Sequence, residues 1–178
     1  MRSRNIVLAA TLTFVASSLL LLAAEGAAGG IRWNTPSGWT VGEPRPMRKA
    51  TYTIPPAPGA EAGECGVFFF GKGQGGSVDE NLSRWVAQFE GAGTPKKSQT
   101  TVHGLAVHRI DVSGTYLAPG GPMMQSQGKK PNWRLTGAIV EAPEGLVFFK
   151  AVGPAVTMQA AQKDIEELIK SITKAEKT

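Results

Sequence analysis

Cys65-Gly66-Val67-Phe68-Phe69-Phe70-Gly71-Lys72-Gly73-Gln74-Gly75-Gly76-Ser77-Val78-Asp79-Glu80-Asn81-Leu82 decides how the rest of this 178-residue chain must be arranged. Its opening run, Cys65 to Phe70, is apolar at nearly every position, the mark of a strand covered on both faces rather than one with a wet side. Glycines stop the run, and Ser77 starts a helix. The Ser77 hydroxyl can accept from the backbone of Glu80 while the Glu80 carboxylate reaches back, a Ser-x-x-Glu capping box. Val78, Leu82, Trp85, Val86 and Phe89 then recur at helical period and make one apolar stripe, and Gly91 is a plausible stop.

A strand buried on both sides needs neighbours in its sheet and layers above and below it. Trp133 to Ala142 and Leu146 to Val152 have the same continuous apolar character and are joined by Pro143-Glu144-Gly145, a hairpin turn. Ser98 to Val102 and Leu105 to Ser113 form another hairpin around His103-Gly104. Toward the N-terminus, Trp33, Trp39 and Tyr52 lie among Pro36, Gly38, Pro44 and Pro46, which predicts short strands broken by turns, with the tryptophans sealing the sheet. Pro55 to Gly63 reads as a loop. A second helix starts near Thr157, after Pro154, with Met158, Ala161, Ile165, Leu168, Ile169 and Ile172 on one face and Lys163, Asp164, Glu166, Glu167 and Lys170 on the other. The expectation is an α+β domain: an antiparallel β-sheet flanked by helices on both faces, an α/β/α sandwich.

The first residues belong to a different regime. Ile6 to Ala24 carries no charge and follows Arg2 and Arg4, the layout of a secretory signal. Ala24-Glu25-Gly26 and Gly26-Ala27-Ala28 offer small residues to a signal peptidase, so residues 1–26 read as a signal peptide and 27–178 as a single globular domain, secreted or periplasmic. The uncharged run also approaches the ~20 residues that span a bilayer, which leaves an uncleaved N-terminal membrane anchor as the alternative. The first thirty residues lack a cysteine, so a lipid-bearing thiol is not expected there. Cys65 is the only cysteine in the chain, which rules out an internal disulfide, and the core must hold the domain together.

Export makes nucleotide-driven cytosolic chemistry improbable. The net charge of +5 is mild, and the Lys doublets, Lys96-Lys97 and Lys129-Lys130, sit in stretches that read as solvated Gly/Pro-flanked loops. Nucleic-acid binders gather their cations on one face, and no nucleic-acid partner is expected.

The order of these elements resembles the PsbP-like fold: Trp-containing short strands, Val67-Phe68-Phe69-Phe70 passing through glycines into the Ser77 helix, further strands, then Val152-Gly153-Pro154 and a last helix ending at Lys170-Ser171-Ile172. Phe70-Gly71-Lys72-Gly73-Gln74-Gly75-Gly76-Ser77-Val78, with Asn81 and Arg84-Trp85, is similar to a group of uncharacterised exported bacterial proteins. The resemblance spans roughly residues 33 to 173. It implies an antiparallel sheet between helices and a non-catalytic accessory or binding role, and it brings no catalytic set with it.

Three places could carry chemistry. Gly73, Gln74, Gly75, Gly76 and Ser77 open a helix, where backbone N–H groups can hold an anion. A phosphate-binding loop, however, needs Gly-Lys-Ser/Thr at the helix start; the only nearby lysine is Lys72, and Asp79 and Glu80 would repel phosphate. A structural turn is the favoured reading. His108 shares strand parity with Ala106, Ile110 and Val112 and reads as a half-buried, hydrogen-bonded side chain, while Asp111 points to the opposite face, so the two do not make a ready base and orienter. Cys65 reads as an inert buried thiol. The connection Leu117 to Asn132 is longer than a hairpin needs; it holds Met123, Met124, Lys129 and Lys130, weak candidates for contacting a partner. Two thioethers without His or Cys make a poor metal set. No catalytic residue, metal or cofactor is expected. The function that follows is an exported, non-catalytic binding or accessory domain with a possible envelope protein partner. The alternative is a small-ligand-binding or hydrolytic envelope protein working in a sheet/helix cleft with His108, Asp111 or Cys65.

Overall fold

In chain order, the computed structural model contains β1 (Glu25–Ala28), β2 (Ile31–Asn34), β3 (Thr40–Val41), β4 (Arg48–Ile54), β5 (Gly63–Phe69), α1 (Val78–Val86), β6 (Phe89–Glu90), β7 (Lys96–Val102), β8 (Leu105–Leu117), β9 (Lys129–Ala142), β10 (Gly145–Pro154), α2 (Ala155–Ala160), α3 (Gln162–Ser171) and β11 (Thr173–Lys174). It describes residues 24–118 and 128–176. The leader assigned to residues 1–26 lies outside these up to residue 23, as do Met123 and Met124.

The chain is α+β with antiparallel sheets. An eight-stranded sheet runs β3-β4-β5-β10-β9-β8-β6, with β7 also on β8. Instead of the single sheet expected, a second one of three strands, β1-β2-β11, ties the two ends of the described chain together. The expected hairpin at Pro143-Glu144-Gly145 is present, with Gly145 opposite Ala142 and the pairing running through to Pro154 opposite Trp133.

Successive residues of a strand point to opposite faces, and here each set meets its own core. Val67, Val140, Val147, Phe149 and Ala151 share one cluster with Ile31 and Trp33 of β2, Met158 of α2, and Ile165, Leu168 and Ile169 of α3. Ile110, Val112, Leu135, Ile139 and Phe148 share the other with Leu82 and Trp85 of α1. Trp33 is tied into its core by donating from Nε1 to the Tyr52 hydroxyl at 2.9 Å and by meeting Phe149 edge-on, with the ring centroids 5.0 Å apart.

Several boundaries differ from the sequence reading for identifiable reasons. The first helix ends at Val86, with Ala87 as its cap, and not at Gly91; Phe89 leaves the apolar stripe to pair with Tyr116 as strand β6. The second helix starts at Ala155 and is broken at Ala161, whose ψ of 1° is not helical, although Ala161 N still donates to Thr157 O and Ile165 N to Ala161 O. Both Lys doublets lie in strands and not in loops. Lys96 and Lys97 open β7, an exposed edge strand, where lysine discourages pairing with another chain. Lys129 and Lys130 open β9, which pairs with β8 as far as Leu117, so the long connection is shorter than expected. Pro131 hid that pairing, because proline reads as a strand breaker. It sits where the register shifts between Gly114 and Tyr116, next to Asn132 at φ 57°, and a bulge tolerates proline's missing donor.

Candidate functional site

On the sheet face that carries Phe68 and Phe148, one row crosses five strands: Thr51, Gly66, Lys150, Gly137 and Ile110. Lys150 thus has glycine on both sides. Neither glycine is replaceable at no cost. A Cβ on Gly66 would sit 2.9 Å from the Phe68 ring and 3.3 Å from Nη1 of Arg48, and one on Gly137 would fall inside the ring of Trp85. The two glycines leave room on the sheet for the rings of Phe68 and Trp85 beside the row that holds Lys150.

The Lys150 ammonium donates to Gln88 Oε1 at 2.6 Å and lies 5.7 Å from the centroid of the Tyr116 ring. Burial, reinforced by the neighbouring Arg48 charge and opposed by Glu64, lowers its pKa to about 8. Burial likewise raises the Tyr116 phenol to about 12, so that hydroxyl keeps its proton at any physiological pH.

Beside Lys150 opens a cleft of about 430 Å³ lined by Arg45, Arg48, Glu64, Tyr116, Lys130 and Trp133 among others. A register shift between Arg48 and Ala50 brings Arg48 opposite Phe68 and into this cleft. Glu64 accepts from Arg48 at 2.7 Å and pairs with Arg45 at 3.0 Å, so one carboxylate is shared by two guanidinium groups. Tyr116 and Trp133 stack with an interplanar angle of 3° and centroids 5.6 Å apart. Lys130 Nζ sits 4.4 Å over the Trp133 ring and bonds Glu61 at 3.0 Å. Three cations (Arg45, Arg48 and Lys130) therefore line the cleft with one carboxylate, Glu64, against an aromatic wall, while Glu61 pairs with Lys130 and the Lys150 ammonium approaches Tyr116 from outside the lining. An anionic group with an apolar neighbour fits such a surface.

The groups proposed for hydrolysis are not brought together. Asp111 takes Arg134 Nε at 3.0 and 2.8 Å on its two oxygens and the Thr136 hydroxyl at 2.9 Å. It lines a cleft of about 240 Å³ with Arg109 and Glu166, which form an ion pair of their own. That pair holds the Glu166 carboxyl below its ordinary range, chiefly through the hydrogen bond from Arg109. His108 is on the other face, as its parity requires, donating from Nε2 to Glu141 at 2.7 Å. His103 is engaged as well, donating to the Ile172 carbonyl at 2.8 Å. Cys65 is buried, and burial pushes its thiol up to about 12, so it carries almost no thiolate at neutral pH.

The glycine-rich turn is held by its own side chains. Ser77 N donates to Glu80 Oε2 at 2.8 Å, and Glu80 N to Ser77 Oγ at 3.3 Å, completing the capping box. The bonds that Ser77 donates to the Glu80 carboxylate, from its backbone N and from its hydroxyl, lower the Glu80 pKa, the backbone bond most. The start of α1 is thus occupied by the chain's own carboxylate. Asn81, buried, donates to Gly75 O and Ser77 O at 2.8 Å each and locks Gly73, Gln74, Gly75 and Gly76 into shape. Of the predicted partner-contacting residues, Lys130 falls in the cationic cleft, while Lys129 pairs with Glu90 at 2.6 Å. Arg48, Tyr116 and Lys150 were missed. The available signal was Lys150 itself, a lone charge inside the otherwise apolar run Leu146 to Val152.

Among the described residues, no group of His, Cys, Asp and Glu is placed to hold a metal ion, and no helix is long and apolar enough to cross a membrane. No family model matches the sequence. No curated protein matches it either. Solved structures do. The solution structure of cyanobacterial PsbP (CyanoP) from Synechocystis sp. PCC 6803 is similar with a TM-score of 0.54 at 8% identity, over 90% of this chain and 98% of that one. A Pseudomonas aeruginosa protein of unknown function, PA94, is similar with a TM-score of 0.50 at 10% identity, over 87% of this chain and 99% of that one. At such identities the likeness concerns the fold alone.

Proposed function

We propose that this chain, whose fold is PsbP-like, is an exported, non-catalytic binding domain with helices on both faces of its large sheet, and that it receives an acidic segment of an envelope protein in the cleft between Arg45, Arg48, Lys130 and Trp133. The observation that carries this reading is the imbalance in that cleft. His108 and Asp111 elsewhere are engaged in bonds that hold the fold, whereas beside this cleft the half-buried Lys150 has an amide and no carboxylate in hydrogen-bond contact. A cation taken partly out of water in this way costs stability, and an incoming carboxylate would offset that cost. The stacked Tyr116 and Trp133 supply the apolar side of the contact. The Gly73 to Ser77 turn, closed by Glu80, is assigned to structure and not to binding.

The test is photo-crosslinking in the native host from a benzoylphenylalanine placed at Thr53 or Ala62, both on the rim of the cleft. A discrete envelope-protein adduct that disappears with Arg45→Glu and Lys130→Glu supports the reading. An adduct indifferent to those charge reversals, or none at all from either position, removes the cleft as the binding surface.

A further inference from the structure

Glu25-Gly26-Ala27-Ala28 has no β-branched or aromatic residue, yet it forms a strand because each position has a partner: Glu25 opposite Asn34, Gly26 opposite Trp33, Ala27 opposite Arg32 and Ala28 opposite Ile31. The pairing extends one residue further, with Thr35 N donating to Ala24 O at 2.8 Å. Gly26 is packed directly on the indole of Trp33, so closely that any Cβ there would overlap Cε2 and Cζ2 of the ring. The two side chains under this strand are among the most deeply buried in the protein, Ile31 at 0% exposed and Trp33 at 1%. The backbone of β1 is therefore the outer wall of that core.

The small residues that best suit a signal peptidase lie inside the same four residues. A cut after Gly26, read from Ala24-Glu25-Gly26, would discard half of β1, and a cut after Ala28, read from Gly26-Ala27-Ala28, would discard all of it. Either would uncover Trp33 and leave the Asn34 end of β2 as an unpaired edge.

We propose that the mature polypeptide keeps Glu25–Ala28 whole, so that the processing boundary falls at the Ala24–Glu25 bond or N-terminal to it, and not after Gly26 or Ala28. This moves the boundary upstream of where small-residue spacing alone places it. It does not depend on the cationic cleft.

Two measurements on the protein test it. The first is the intact mass and N-terminal sequence of the full-length gene product recovered from its host. A chain starting at Glu25 or earlier, Met1 included, supports the proposal; one starting at Gly26 or later overturns it. The second compares purified chains starting at Glu25 and at Gly29 by thermal unfolding and by acrylamide quenching of tryptophan fluorescence. Loss of β1 is expected to lower Tm by several degrees and to make Trp33 quenchable. Equal Tm and equal quenching would show that β1 is dispensable and overturn the structural argument for the boundary.

Discussion

Replacing Lys150 with methionine should make the protein more stable, and by an amount that depends on pH. The unfolded chain holds the Lys150 proton up to about 10.5, while the folded chain releases it near 8. Between those values the unfolded state binds more protons, so this group makes stability rise with pH. Below about pH 8 both states are charged and the cost of burying the ammonium is fully present, about 3 kcal/mol for a shift of this size. Above about 10.5 both are neutral and the cost is gone. Methionine keeps the length and apolar stem of lysine, and the half-buried Gln88 amide it leaves behind loses a hydrogen bond worth about 1 kcal/mol. The net gain for Lys150→Met at pH 7 is then about 2 kcal/mol, shrinking as pH rises through 8 to 10. Urea unfolding of both proteins at pH 7, 8, 9 and 10 measures it, and taking the difference between them isolates the contribution of Lys150. A difference that stays constant across that range, or a methionine variant that is weaker at pH 7, would refute the reasoning. The same variant should lose affinity for the acidic partner.

Gly137→Ala drives a methyl into the Trp85 ring and should cost about 2 kcal/mol or more by overpacking; chemical denaturation measures this, and a neutral effect would mean that α1 does not sit on the sheet at that point. Ser77→Ala removes the helix cap and should cost about 1 kcal/mol, read from the same curves. The buried Cys65 thiol should resist a thiol reagent at pH 8 in the native protein and react promptly in 6 M guanidinium; fast native labelling would contradict its burial. Partner binding through the cleft should weaken as salt is raised from 50 to 500 mM, since part of it is screened charge, and a salt-independent affinity would point to an apolar contact elsewhere.

What could be read from the residues divides by how local the cause is. The capping box at Ser77 and Glu80, the hairpin at Pro143-Glu144-Gly145 and the apolar strand before Gly71 are set by neighbours within a few positions, and the structure has all three, although the strand ends at Phe69 and leaves Phe70 exposed. The opposite directions of His108 and Asp111 followed from parity alone. Strands β1 and β11 were invisible for the converse reason: Glu25-Gly26-Ala27-Ala28 has no intrinsic strand preference and exists only through pairing with β2. Phe89 has helical spacing from Trp85, but its ring finds Tyr116, with the centroids 5.2 Å apart, and the tertiary contact wins over periodicity. The cleft and its surroundings were hidden because their parts, Arg45 to Lys150, are spread over five strands and the turn before β4 and meet only once the sheet is assembled.

In β10, Val147, Phe149 and Ala151 feed one core while Phe148 between them feeds the other. Neither core can loosen while that strand stays straight, and neither can hold if it peels away. The tryptophans report on the two separately: Trp33 and Trp39 belong to the first cluster, while Trp85 is in the second and Trp133 packs against it. A central strand shared in this way makes the domain a single mechanical unit, so in each variant with one set replaced by phenylalanine the fluorescence of the remaining set should change at the same midpoint as the far-ultraviolet circular dichroism of that variant.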